Sequence, residues 1–342
     1  MHHSLTVTGT RVPWPPGAAT GVGSLPGTDV REGTRTVFGE LPDLPHLPEL
    51  PARGPGADMI GRTGAQLVGL HIDLQPAGWR LVDRPSGDER RARATLAQDL
   101  DALEEYAAGY AGPLKVQLAG PWTVAAALEL PRGGKVLSDP GACRDVAVSL
   151  AETVAAHVGD VRRRVPSATV VLQVDEPSLP AVLAGRLRSA SGWQGLPAVE
   201  EPVAEAALRQ VVDLAGVRVI AHCCAADVPI GLLQRSGAAA VSVDADALGE
   251  AGVDALGEAA DSGLGVVLGV VPATDAELSD LAVTVATVRA LGSRMGLSGE
   301  RLVQAVALAP ACGLAGATPA YARAAMTRCR AASVRLREDP EG

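Results

Sequence analysis

Aromatic residues are nearly missing from this chain: one Phe, three Tyr and four Trp among 342 positions. Apolar residues still make up 47%, so a sizeable core must be packed from small aliphatic side chains, chiefly Ala, Val and Leu. Positive charge is also short. Acidic residues outnumber basic ones 39 to 30, giving a formal charge of −9, and such a chain lacks the basic stripe that a nucleic-acid partner requires. No run approaches eighteen apolar residues, so no membrane span is expected. The start shows no basic segment followed by an apolar block, so no secretory leader is expected either. Five cysteines, an odd number, do not suit a disulfide framework and point to a reducing, cytoplasmic setting. Cys143 and Cys329 lie in helix-like surroundings and are expected to be inert buried thiols. His2 and His3 are too few and too terminal to form a metal site.

Short apolar runs alternate with longer amphipathic stretches. Candidate strands fall at 18–22, 66–71, 114–118, 169–174, 217–221, 239–243, 265–270 and 304–308. Helical patterns occupy 92–111, 141–165, 204–214, 275–295 and 319–335. Strands alternating with helices imply βαβ units and a parallel sheet. Eight candidate strands predict an α/β protein of the (β/α)₈ TIM-barrel type, a single domain over residues 1–342. No Gly-x-Gly-x-x-Gly follows the first strand, which disfavours a dinucleotide-binding sheet. One segment stands apart: residues 38–61 carry Pro at 42, 45, 48, 51 and 55. That spacing favours extended, polyproline-like chain. It reads either as a stiff surface connection or as a loop folded over the barrel mouth.

Polar or small residues recur at the C-terminal ends of the strands, where βα loops of a barrel converge on one pocket. They are Gly23 and Ser24; His71 and Asp73; Gln117 with Gly120-Pro121-Trp122-Thr123; Gln173 with Asp175-Glu176-Pro177; His222 and Cys224; Asp244 and Asp246; and Cys312. Each alone has a structural explanation, such as a turn, a helix cap or a hydrogen-bonded histidine. Jointly those explanations require many strand ends to be polar by coincidence. In His222-Cys223-Cys224, strand parity places His222 and Cys224 on one face and Cys223 on the other. Ser242, Asp244 and Asp246 share a face of the next strand, and Cys312 approaches from the last. Two thiolates, an imidazole and a carboxylate suit a tetrahedral Zn2+ held by His222, Cys224, Asp244 and Cys312.

Five motifs in order resemble the C-terminal catalytic barrel of the cobalamin-independent methionine synthase family. Gly21-Val22-Gly23-Ser24-Leu25-Pro26-Gly27-Thr28 looks like its Ile-Gly-Ser-Phe-Pro-Gln-Thr segment, and Gly120-Pro121-Trp122-Thr123 like its Gly-Pro-Val-Thr. Gln173-Val174-Asp175-Glu176-Pro177 is similar to its Gln-Ile-Asp-Glu-Pro, His222-Cys223-Cys224 to its His-x-Cys, and Cys312-Gly313-Leu314 to its final Cys-Gly-Leu. The resemblance implies a TIM barrel and a zinc-dependent methyltransferase that converts homocysteine to methionine. It assigns His222, Cys224 and Cys312 to the metal, with Asp244 in place of the family's Glu. It places the substrate carboxylate at Gly23 and Ser24 and the amino group at Asp175. The family's Asp-Ile-His-Ser element after strand seven is replaced here by Gly269-Val270-Val271-Pro272-Ala273-Thr274, without a histidine. The methyl donor is therefore expected to be either a methylated folate or a methyl-corrinoid protein. Two other readings compete: a non-catalytic barrel that binds a small thiol or amino acid, and an enzyme resembling uroporphyrinogen decarboxylase.

Overall fold

In the computed structural model, which describes residues 12–189 and 195–342, six of the apolar runs become parallel strands. His2 and His3 lie outside the described residues. A hairpin comes first, β1 (His71–Gln75) and β2 (Gly78–Val82), followed by β3 (Pro113–Ala119), β4 (Thr169–Asp175), β5 (Arg218–Cys223), β6 (Ala240–Asp244), β7 (Gly265–Val271) and β8 (Val306–Pro310). Strands β3 to β8 pair in chain order as one curled, TIM-like parallel sheet. Helices lie between them: α1 (Val30–Glu40), α2 (Met59–Gly64), α3 (Gly87–Tyr106), α4 (Pro121–Ala127), α5 (Pro140–Arg164), α6 (Leu179–Leu183), α7 (Glu201–Ala215), α8 (Ile230–Arg235), α9 (Glu250–Asp261), α10 (Leu281–Arg294), α11 (Gly299–Ala305) and α12 (Pro319–Glu338). Their starts follow local chemistry. Asp139 accepts from the amides of Gly141 and Ala142, and Pro140, which has no N–H to leave unpaired, opens α5. Arg162, Arg163 and Arg164 sit in the last turn of α5, where cations suit the helix dipole.

The N-terminal chain lies against both edges of this sheet. Residues 18–20 run parallel to β8, with the Thr20 amide donating to Leu308 O at 2.9 Å and the Leu308 amide to Ala18 O at 3.1 Å. Residues 45–47 run parallel to β3: Lys115 N–H donates to Pro45 O, and Leu47 N–H to Lys115 O, both at 2.9 Å. The two segments then meet each other, the Leu25 amide on Glu49 O at 2.8 Å and the Glu49 amide on Gly23 O at 3.1 Å. One core cluster joins strands β4 to β8 to the N-terminal chain: Trp14, Ala18, Leu44, Val171, Ile220, Ala240, Val267, Ala307 and Ala309. Small aliphatic residues fill most of it, and Trp14 is its one aromatic.

Three sequence expectations need correcting. The run 66–71 is not a strand beside β3; only His71 belongs to a strand, and that strand is half of the antiparallel hairpin β1–β2. Its place beside β3 is taken by the proline-rich stretch. That stretch is not a surface connection, since Leu41, Leu44, Leu47 and Leu50 are all buried. Proline does not break the pairing because Pro45 offers only its carbonyl to β3 and the amide comes from Leu47. The helix expected over 275–295 begins only at Leu281, because Asp275 instead accepts from the Thr318 amide and hydroxyl at the start of α12.

Candidate active site

Strand register puts the chemistry on one level. Asp175 of β4 is paired with His222 of β5, and His222 with Ser242 of β6. Side chains that share a register row and face point into the same space, so these three groups stand side by side. Cys224, two residues beyond His222, follows the same parity, whereas Cys223 is fully buried on the other face, where burial pushes its thiol up to about 12. Cys312 arrives two residues after β8. Donor atoms of His222, Cys224 and Cys312 all lie within 4.8 Å of one another.

The protonation pattern suits a cation. The Cys224 and Cys312 sulfurs are 3.0 Å apart, too far for a disulfide and close enough to share a proton. Their shared hydrogen bond favours one thiolate and one thiol: Cys312, aided by His222, is pushed down and Cys224, partly buried, is pushed up. The His222 ring is buried, with Nδ1 3.0 Å from Ser242 Oγ. Its Nε2 is enclosed and has no hydrogen-bond partner. A buried imidazole nitrogen without a partner is costly unless something else occupies its lone pair, and a metal ion does so. Two sulfurs and one imidazole, with the second ring nitrogen held by a hydroxyl, fit zinc. Ser242→Ala is expected to lower zinc affinity about 10-fold or more by releasing the ring orientation, measured by competition with a chelating dye; an unchanged affinity would remove Ser242 from the site.

Asp244 is not part of that close group. It sits at the end of β6 on the expected face, but its Oδ1 accepts the Asp246 amide at 3.0 Å. Partial burial raises its carboxyl, and the Cys312 charge adds to the rise. Asp246 gives Asp244 that amide, and its own charge adds to the rise of the Asp244 carboxyl. His71 and Asp73 belong to the β1–β2 hairpin, paired with Glu89 at 3.1 Å and Arg80 at 3.3 Å. Gly23 and Ser24 do reach the site. The Leu314 amide donates to Ser24 O at 2.8 Å, and a Cβ on Gly313 would collide with Ser24 Oγ. The Gly-Ser and Cys-Gly-Leu motifs are therefore packed on each other, and only glycine at 313 leaves room for the serine.

Beneath these groups lies a buried polar layer. Lys115 Nζ donates to Val22 O at 2.8 Å and to Gln173 Oε1 at 2.7 Å. Gln173 Nε2 donates to the same Val22 O at 2.8 Å and to Asp175 Oδ1 at 2.7 Å. Gln117 Nε2 donates to Leu47 O at 2.6 Å and Glu49 Oε1 at 3.0 Å. Glu49 faces Arg62 at 3.9 Å, and Arg62 is paired with buried Asp99. Burial lowers Lys115 to about 7, opposed by the charges of Asp175 and Glu49; it raises Asp175 to about 7, opposed first by His222. Glu49 is likewise raised by burial. Ser242, Lys115 and Glu49 were given no role from sequence. Lys115 had a visible signal, a lysine at the same parity as Gln117 within an apolar strand. Glu49 was hidden by its prolines.

The motifs around Thr123 and Glu176 explain each other. The buried Glu176 carboxylate accepts from the Trp122 amide at 2.9 Å, the Thr123 amide at 2.8 Å and the Thr123 hydroxyl at 2.7 Å. It therefore closes the N-terminus of α4, where an anion is favoured. Burial pushes the carboxyl up to about 7 and the three donors pull it back. A Cβ at position 120 would strike this carboxylate, which accounts for Gly120.

The sequence model of the family described as cobalamin-independent synthase, catalytic domain, matches residues 17–334. The chain belongs to that family. Enzymes of the cobalamin-independent methionine synthase type are methyltransferases, and the family match spans every element that carries the site just described. A B12-independent methionine synthase from Shewanella sp. W3-18-1, solved in complex with selenomethionine, has a similar fold at 11% identity and a TM-score of 0.63; the match covers 95% of this chain and 99% of that one. A putative fructose-1,6-biphosphate aldolase from Coccidioides immitis reaches only 16% identity and a TM-score of 0.29 over 67% of this chain and 81% of its own, too remote to bear on the fold. No curated protein matches the sequence. Among the described residues no helix is long and apolar enough to cross a membrane.

Proposed function

We propose that this chain is a zinc-dependent methyltransferase that transfers a methyl group to the sulfur of homocysteine, giving methionine. The observation that carries this reading is the enclosed, unpartnered His222 Nε2 beside two sulfurs, all within 4.8 Å of one another. In this reading the curled sheet and the segments 18–24 and 45–49 form a single (β/α)₈ barrel, and the site lies at its C-terminal mouth. His222, Cys224 and Cys312 hold the ion. Asp244, with Oδ2 still uncommitted to the Asp246 amide, is its fourth protein donor. When bound, zinc keeps an alkyl thiol deprotonated near neutral pH, where the free thiol is mostly protonated.

The chain's own groups do the rest. Gly23 and Ser24 receive the substrate carboxylate, and Asp175 takes the ammonium group. Those two contacts fix the amino-acid end, so the thiol sulfur is aimed at the mouth rather than left to rotate. The sulfur then attacks the methyl carbon in line: the S–CH₃ bond forms as the donor–CH₃ bond breaks, and the donor keeps the electron pair. Asp175 orients and does not shuttle a proton. The donor is a methylated folate or a methyl-corrinoid protein, and the family's independence of cobalamin makes the folate the first to assay. Zinc binding by Cys224 and Cys312 requires both thiols reduced, as in the reducing cytoplasm. Asp175→Ala is expected to raise the homocysteine KM about 10- to 100-fold with a smaller change in kcat, as loss of a charged hydrogen bond to substrate implies. The general test is zinc analysis of the purified chain with a methylation assay using both donors. Protein that binds no zinc, or binds it and turns over neither donor, contradicts the reading.

A further inference from the structure

Lys115 is a fully buried charged group near the site, and nothing in the reaction above uses it. Its ammonium is fully buried and its Nζ has two neutral acceptors, Val22 O at 2.8 Å and Gln173 Oε1 at 2.7 Å. Gln173 closes the loop, with Nε2 on Val22 O at 2.8 Å and on Asp175 Oδ1 at 2.7 Å. Two side chains from neighbouring strands thus converge on one carbonyl. That carbonyl belongs to the peptide linking Val22 to Gly23, so holding it sets the direction of the Gly23 amide and the approach of Ser24. The other arm of Gln173 holds the Asp175 carboxylate. The backbone here is also pressed on the layer from the second side: a Cβ at Gly23 would lie 2.9 Å from Gln117 Nε2.

We propose that Lys115 is a positioning residue which, through Gln173, locks the carboxylate-binding turn at Gly23–Ser24 and the ammonium-binding Asp175 into one rigid cradle and so selects α-amino-acid thiols over simple alkyl thiols. The inference rests on the reading of Ser24 and Asp175 as substrate contacts. A nucleophilic or Schiff-base role does not fit Lys115. Its amine is enclosed and engaged with two acceptors, and it touches the substrate contacts only through Val22 and Gln173. An ammonium is also a better clamp here than a neutral donor. Hydrogen bonds from a charged donor are the stronger kind, and the nearby carboxylates of Asp175 and Glu49 offset the cost of burying its charge.

The test is calorimetric binding of L-homocysteine and of propane-1-thiol to the zinc-loaded full chain, as wild type, Lys115→Met and Gln173→Leu. Zinc stoichiometry is measured on each. Wild type is expected to prefer homocysteine. Both variants should retain zinc and bind propane-1-thiol as wild type does, yet bind homocysteine at least about tenfold more weakly, the loss expected for charged hydrogen bonds. Gln173→Leu removes an arm of the clamp without removing a charge, so it serves if Lys115→Met fails to fold. Homocysteine affinity within twofold of wild type in the folded variants overturns the role of Lys115. Equal weakening for both thiols also overturns it, since that marks a general loss of structure. A wild-type protein that binds homocysteine no better than propane-1-thiol overturns the substrate reading instead, and the cradle with it.

Discussion

Cys312→Ser is expected to bind zinc about 10²- to 10⁴-fold more weakly than the wild type, and to lose thiol methylation in the same measure. The magnitude follows from a zinc-binding free energy of about 10–16 kcal/mol spread over three or four ligands. Cys312 is the more telling of the two cysteines because it reaches the group from the far side of the sheet, beyond β8, within 4.8 Å of both His222 and Cys224. Serine is close in size but its hydroxyl stays protonated, so it cannot replace a thiolate. Little cost in folding is expected, since Cys312 is only partly buried in a loop beyond β8. The check is metal analysis after dialysis, paired with a thermal melt. A Cys312→Ser protein that keeps full zinc would place the ion elsewhere.

The second large effect is on stability. Glu176→Ala removes a carboxylate that receives three hydrogen bonds inside the protein and leaves the Trp122 and Thr123 amides without a partner. Orphaning buried donors around a lost charge costs about 3–5 kcal/mol. The Glu176 amide also donates to His222 O at 2.7 Å, so the strand that carries His222 is tied to the same crosspiece. Glu176→Gln keeps one acceptor oxygen and is expected to lose less. Denaturant unfolding of the three proteins measures this; a Glu176→Ala chain within about 1 kcal/mol of the wild type would show that water replaces the carboxylate.

The site was legible in the sequence wherever strand parity applied. His222 and Cys224 share a face because the period of a strand is two, and the same rule put Cys223 outside and Ser242 inside. Asp244 shows the limit of that rule. Parity gives its face correctly, yet whether its carboxylate turns to a metal or to the Asp246 amide is a matter of side-chain rotation that no spacing encodes. The strip at 45–49 escaped for a different reason. Its prolines mask the alternation of a strand, although Pro45 sits where only a carbonyl is needed and the buried leucines continue through it. Reading it as a connection also hid Glu49. The strand expected at 66–71 was misplaced because the short apolar run before His71 has the composition of a strand, yet it only leads into the hairpin β1–β2 that starts at His71. Lys115 and Glu176 show what a motif alone leaves out. The resemblance picked out the Asp-Glu-Pro and Gly-Pro-x-Thr elements, but only the structure shows that the glutamate of one closes the helix that begins in the other.

The central claim is that His222, Cys224 and Cys312 bind zinc and present it to the thiol of homocysteine. X-ray absorption at the zinc edge, on the wild-type chain with and without L-homocysteine, tests this most directly. The expected result is two sulfur neighbours in the free protein and three once homocysteine is added, at the zinc–sulfur distance of about 2.3 Å typical of thiolates. A sulfur count that stays at two with homocysteine bound, or an ion without sulfur neighbours at all, would contradict it.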